Sequence, residues 1–284
     1  MKRTTKITSS NSLFDLNLKE VIKYWDLCVL FVRRDFVSQY KQTILGPLWF
    51  FIQPIFTAYT FMLVLSNMGG LGTDGLPPLL FYIAGLTFWG YFRDCFTKTA
   101  NTFSTNADIF GKVYFPRVIS PLSVIISQLI KLGIQFLLLV VFILYFHFSD
   151  DYAYAFHFQM ELLMLPVLIL IMALLSLSFG MLISSLTTKY RDLQQLMAFG
   201  VQLLMYVSAV IISTSEAKLN MPKFAAVIEY NPIAQLIEAF KVAVLGVGEM
   251  NWNGLVFSTV FTIVLFFVSL VFFNKTEKNF MDTV

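Results

Sequence analysis

Val118 to Phe148 reads VISPLSVIISQLIKLGIQFLLLVVFILYFHF, with Lys131 its one formal charge. A helix climbs ~1.5 Å per residue, so this run exceeds the ~30 Å of a bilayer's hydrocarbon core. It decides the fold: the chain is read as an all-α integral membrane protein. Comparable runs lie on both sides, at 48–66, 162–186, 193–213 and 252–273. The first of them reaches ~28 Å and just spans. A sixth span, 77–100, is apolar only to Phe92, before Arg93 and Asp94. It is expected to continue past Arg93, because an adjacent Arg and Asp near a boundary can snorkel or pair with a neighbouring helix.

Composition agrees with this reading. Of 284 residues, 57% are hydrophobic and 13% charged, with a mean hydropathy of +0.73, against roughly 25% charged in soluble domains. So few charges cannot cover a water-soluble fold of this length, which excludes a soluble enzyme or a secreted disulfide scaffold. A net charge of +3 is far from the basic footprint of a nucleic-acid binder. Cys28 and Cys95 read as apolar fillers. No apolar run follows Met1, Lys2 and Arg3 within residues 4–17, so no cleaved signal is expected.

Lysines and arginines set the orientation independently of hydropathy. Eight lie in 1–47, four in 93–117, two in 187–192 and two in the tail, against three (Lys218, Lys223 and Lys241) in 214–251 and none in 67–76 or 149–161. Both termini are therefore expected in the cytoplasm, with six crossings, in an inner-membrane protein. Ile233 to Leu245 is too short for a seventh and carries Glu238 and Lys241, so it is read as a re-entrant outer helix, started by Asn231 and Pro232 and stopped by Gly246. Glu238 and Lys241, three apart, are expected to pair along it. The chain divides into a cytoplasmic interface region at 1–47, a transmembrane domain at 48–273 with an outer segment at 214–251, and a cytoplasmic tail at 274–284.

Before the first span, Leu18, Val21, Ile22, Trp25, Val29, Val32 and Phe36 recur at three- and four-residue steps, an amphipathic helix on the cytoplasmic face. It serves equally as a membrane anchor or as a docking element. Within the spans, Gln53, Gln135 and Gln202 are expected to face the protein interior or a watery path. Trp49, Tyr59, Tyr82 and Trp89 suit either the apolar faces of sugar rings or interfacial anchoring. Lys131 is expected to snorkel towards the near interface. Ser176, Gly180 and Ser184 form a small-residue packing face.

Catalytic signatures are missing. His147, Asp150, Asp151 and His157 match no ligand spacing, and interfacial polarity explains them better than a metal site. Gly111-Lys112-Val113 lacks the spacing and the hydroxyl of a phosphate loop, so this chain is expected to hold no ATP site and no cofactor of its own. Any energy for transport comes from elsewhere.

Four strings resemble, in order, the membrane subunit of type-2 ABC exporters for polysaccharides. They are Arg33-Arg34-Asp35-Phe36 with Gln39-Tyr40-Lys41-Gln42 and Leu45 to Trp49; Lys112 to Arg117 with Pro121-Leu122; Tyr190-Arg191-Asp192; and Glu229-Tyr230-Asn231-Pro232. The resemblance covers about 30–245. It implies a homodimer working with a separate ABC ATPase subunit that binds ATP and Mg, and a channel between the two copies for lipid-linked polysaccharide surrounded by membrane lipids. It assigns ATPase coupling to Trp25, Arg33, Arg34, Asp35, Tyr40, Lys41, Asp108, Lys112, Arg117, Tyr190, Arg191 and Asp192. It places glycan contacts among Trp49, Gln53, Tyr59, Tyr82, Trp89, Gln135 and Gln202, and an outer gate at Tyr230, Asn231, Pro232, Leu236 and Phe240. The strings do not separate O-antigen from capsule or teichoic acid. A type-2 exporter of lipids or drugs would share the six spans, and a membrane-embedded glycan-modifying enzyme the aromatic richness.

Overall fold

The computed structural model describes residues 18–39, 41, 43–110, 112–113, 115–149, 154, 156, 158–190 and 192–283. Among these there is helix and no strand. Two short helices come first, α1 (Leu18–Lys23) and α2 (Trp25–Ser38). A 3₁₀ turn at Gly46–Leu48 leads into α3 (Trp49–Phe61), which runs on as a π-helical stretch, Met62–Met68. Next are α4 (Pro78–Ala100), the single turns α5 (Thr102–Thr105) and α6 (Ala107–Phe110), and the long α7 (Ile119–Phe148). After a 3₁₀ turn at Met160–Met164 come α8 (Leu165–Thr187), α9 (Leu193–Tyr206), α10 (Thr214–Asn220), α11 (Pro222–Glu229), α12 (Pro232–Leu245) and α13 (Trp252–Thr283).

Among the described residues, four helices are long and apolar enough to cross a bilayer: Gly46–Met68, Ile119–Phe148, Met160–Thr187 and Trp252–Thr276. The 23 residues of α4 make ~34 Å, but its last third carries Arg93, Asp94 and Lys98. It is the centre of the bundle, packed by α3, α7, α8 and α12. Its side chains Phe81, Tyr82, Phe88, Trp89 and Phe92 are among the most completely buried in the protein.

Lipid tails are as apolar as leucine, so helices associate there by close packing of small residues. The expected face of α8 does this: Ser176, Gly180 and Ser184 are buried, and a Cβ on Gly180 would lie 2.4 Å from Thr99 Cβ on α4.

Two expectations about helices need correction. The run 193–213 is not one helix, because α9 ends at Tyr206 and the chain turns through 207–213, with Ala209 at φ 54°. Freed backbone groups at membrane depth must find partners inside the protein. Asn231 Nδ2 donates to Val207 O at 2.8 Å and Lys241 Nζ to Ala209 O at 2.7 Å. The amphipathic helix before the first span is also broken, at Tyr24. Its apolar residues divide between two faces: Val21, Cys28 and Phe31 are buried, with α2 packed on α7, whereas Ile22, Trp25 and Val29 face outward. Burial raises the Cys28 thiol above its ordinary pKa.

Candidate functional site

At the end of the bundle that carries Lys98 and Arg117, segments distant in sequence meet. Arg34 pairs with Asp35 at 2.8 Å, lies over the ring of Phe31 at 4.5 Å, and donates from Nη1 to Asn106 Oδ1 at 3.3 Å. Asn106 is buried and turns its amide nitrogen to Ser120 Oγ at 3.0 Å and Thr102 O at 3.1 Å. Two residues earlier, Ser104 Oγ accepts from Gln194 Nε2 at 3.3 Å. The segment with α5 and α6 therefore bridges α2 on one side and the start of α9 on the other. Beneath it Phe110 and Phe115 touch at 5.6 Å, Phe31 meets Phe115 at 5.7 Å, and Phe103 stacks on Phe273 of α13 at 5.0 Å. Aromatic contacts of this kind add ~0.5–1.5 kcal/mol each beyond burial, so the surface is held by a rigid aromatic floor.

Of the residues assigned to ATPase coupling, Trp25, Arg33, Arg34, Lys41, Asp108, Lys112, Tyr190 and Asp192 are exposed and Asp35 is half-buried. Arg117 is not available for docking: it is buried, its guanidinium 5.5 Å from the Phe110 ring centre. Tyr40 and Arg191 lie outside the described residues. Asn106 and Ser104 were missed, because short polar residues in a loop give no periodic signal.

Deeper in the bundle, α3, α4, α7 and α9 border a groove of about 80 Å³. Gln53, Trp89 and Gln135, three of the residues assigned to glycan contact, line it together with Thr57, Gly90, Arg93 and Lys131. Lys131 does not snorkel: its ammonium bonds Asp94 Oδ2, and Arg93 holds Asp94 Oδ1 through Nε and Nη2, both at 2.9 Å. A buried carboxylate requires such pairing, and Asp94 offers lysine a nearer partner than the interface does. Tyr82 is withdrawn from the groove, fully buried against Phe61 and Phe81 with its hydroxyl 3.1 Å from Ser66 Oγ. Trp49, Tyr59 and Gln202 stand exposed on the outer faces of α3 and α9.

At the opposite end, Asn231 caps α12 by accepting from Ile233 N at 3.0 Å, and Gly246, at φ 71°, stops it. Tyr154 donates to Leu245 O at 2.9 Å, and its burial pushes the phenol pKa up to about 12. Leu236 and Phe240 do not face an opening: both are fully buried, and Phe240 stacks on Phe88 of α4 at 4.3 Å. Tyr230 is 74% exposed, with Asn231 and Pro232 beside it. Glu238 and Lys241 do not pair with each other. Both carboxylate oxygens of Glu238 accept from Thr214, through its backbone N–H and its hydroxyl, while Lys241 reaches Ala209 O across Gly85, where a Cβ would lie 3.0 Å from Lys241 Cε. In the connection between α7 and α8, His147 Nδ1 accepts from Phe156 N at 3.1 Å. Asp150, Asp151 and His157 lie outside the described residues.

The profile of the ABC-2 type transporter family matches residues 26–245. Two proteins of Klebsiella pneumoniae called O-antigen export system permease protein RfbA are similar to the chain. One is 25% identical over 268 residues, 94% of this chain and 98% of the relative, and the other 24% identical over 258 residues, 91% and 95%. A protein of the same name from Myxococcus xanthus is 27% identical over 112 residues, 39% of this chain and 42% of the relative.

Proposed function

The chain belongs to the ABC-2 type transporter family, and from that premise we propose that it is the membrane permease subunit of an ATP-driven exporter moving lipid-linked polysaccharide, O-antigen above all, out of the cytoplasm across the inner membrane. The observation that carries this is the alignment of nearly the whole chain with relatives named as O-antigen export permeases. ATP and Mg belong to a separate ABC ATPase, which docks where the Arg34 strip, the Asn106 segment and the start of α9 converge.

In this reading α4 and α9 join the four apolar helices to make six crossings, with both termini cytoplasmic. At ~21 Å the 14 residues of α9 are short, and the buried turn at 207–213 completes the crossing. Two copies assemble around the path. Gln53 and Gln202 are exposed on thinly covered helices at membrane depth, where an unpaired amide facing lipid is unfavourable by several kcal/mol. A second copy would cover them.

The test is purification of the tagged chain from cells that make a surface polysaccharide. An ABC ATPase should accompany it, and its hydrolysis should rise on reconstitution with the chain. A folded chain that purifies without an ATPase, from cells whose surface glycan survives deletion of its gene, would overturn the proposal.

A further inference from the structure

A larger pocket, of about 350 Å³, lies at the end of the bundle that carries Lys98, between α2, α4, α5 and the start of α7. Among the described residues, the charged side chains lining it are Arg34, Asp35 and Lys98. Arg34 and Asp35 are matched to each other at 2.8 Å, and Asp94, one turn before Lys98 on α4, is held by Arg93 and Lys131. Lys98 is the cation left over. It is half-buried and stands in the field of Asp35 and Asp94, which Lys131 opposes, yet its ammonium makes no hydrogen bond and no ion pair with any described residue. Thr102 lines the same pocket, only 1% exposed, and its hydroxyl has no partner among the described residues. Buried hydroxyls are nearly always bonded, and one left alone is unfavourable by ~1–3 kcal/mol. An unmatched cation and an unmatched hydroxyl in one pocket lack the same thing, an acceptor. The rim residues Arg34, Ser38 and Thr105 are exposed, so the pocket opens on the docking surface.

We propose that an acidic side chain of the docked ATPase enters this pocket, its carboxylate pairing with the Lys98 ammonium and accepting from the Thr102 hydroxyl. The inference rests on the permease reading and names the chemistry by which the partner is held. Charge decides the class of group. Arg34 and Lys98 against Asp35 leave one positive charge in the lining, which a single carboxylate cancels, whereas a dianion would set a surplus negative charge beside Asp35. A side chain carried by a docked protein also arrives at an effective concentration that a free anion lacks. Arg34 and Asn106, bonded to each other, both line the pocket, so its occupant sits against the contact that joins α2 to α7.

Binding of the full chain in nanodiscs to the ATPase that accompanies it in purification tests this. Lys98→Met, which keeps the length of the side chain and drops its charge, should weaken the complex at least ~10-fold, as the loss of one partly buried charge pair implies. Thr102→Val, nearly the same shape without the hydroxyl, should weaken it several-fold. Neither should lower the melting temperature of the chain alone, where neither group has a partner to lose, and a fall in melting temperature that tracks the lost affinity would reduce both residues to a structural role. Lys223→Met, at an exposed lysine of α11, should leave affinity unchanged. A carbodiimide, which condenses a lysine amine with a carboxylate in contact with it, should link Lys98 to one aspartate or glutamate of the ATPase. Neutralising that acid should cost as much alone as together with Lys98→Met, the signature of a direct pair. Full affinity in both pocket variants, or a Lys98 link only to Asp35 or Asp94 of its own chain, would overturn the pocket and leave the permease reading standing. A folded chain that binds no ATPase would overturn the permease reading itself.

Discussion

Arg34 Nη1 donates to Asn106 Oδ1 at 3.3 Å, joining the helix ahead of the first membrane span to a loop 72 residues further on. Because Asn106 also holds Thr102 O and Ser120 Oγ, one buried amide ties this contact to the start of α7, the link through which the proposed docking would act.

Asn106→Ala removes all three bonds and leaves the Ser120 hydroxyl without that donor, a destabilisation of ~1–3 kcal/mol. ATPase stimulation by the chain should fall several-fold while membrane insertion is kept. Arg34→Glu, which also sets like charges beside Asp35, should abolish it. Hydrolysis by the reconstituted complex measures both, and unaltered stimulation in the two variants would remove this contact from coupling.

The triad in the groove is asymmetric. Asp94→Asn leaves two cations, Arg93 and Lys131, facing a neutral group, whereas Lys131→Met leaves the Arg93–Asp94 pair intact. Arg93 is 39% exposed and Lys131 and Asp94 about 15%, so removing the shared partner is destabilising by less than the ~3–5 kcal/mol of a fully buried pair, since solvent screens the arginine. Thermal unfolding in detergent should therefore rank Asp94→Asn well below Lys131→Met, with the double variant recovering part of the loss. Equal melting points for the two single variants would contradict the pairing.

Lys241→Met takes the donor from Ala209 O and leaves a buried carbonyl unsatisfied, ~1–3 kcal/mol, at the turn that ends α9. A cysteine at Ser208, fully buried in the native chain, should become reactive towards a small thiol reagent in the Lys241→Met background. It should stay unreactive when lysine is present.

Tyr154 ties the end of α12 to the connection between α7 and α8. Its folded pKa, raised to about 12, lies above the ~10 of a free tyrosine, so the neutral phenol is the form the fold favours. The bond's contribution is fully present below ~10 and is lost as pH climbs through about 12. Tyr154→Phe should lower the melting temperature at neutral pH and flatten the alkaline part of the stability curve.

Much of the helical frame was legible in the residues. Asn231-Pro232 and Gly246 bracket α12 with a cap, a fixed φ and a left-handed stop. Contacts across the bundle were not. Periodicity reports which face of a helix is apolar and says nothing about what lies opposite, so Lys131 was read as snorkelling although Asp94 stands across from it. Tyr82 looked like a sugar platform because aromatic residues carry the same signal in a core as in a channel. Leu236 and Phe240 were read as apolar packing residues of α12, and both are buried, but the partner that Phe240 stacks on, Phe88 of α4, was not legible. The break after Tyr206 left no mark because residues 207–213 are as apolar as the helix before them, and the side chains that permit it, Asn231 and Lys241, come later in the chain.

The central claim is tested most directly by placing the purified chain and its ATPase subunit together in proteoliposomes and following a lipid-linked polysaccharide from one leaflet to the other. The account predicts glycan on the far side only when both proteins and hydrolysable ATP are present, and none with the chain alone. Glycan crossing without the ATPase, or none crossing while the assembled complex hydrolyses ATP, would contradict it.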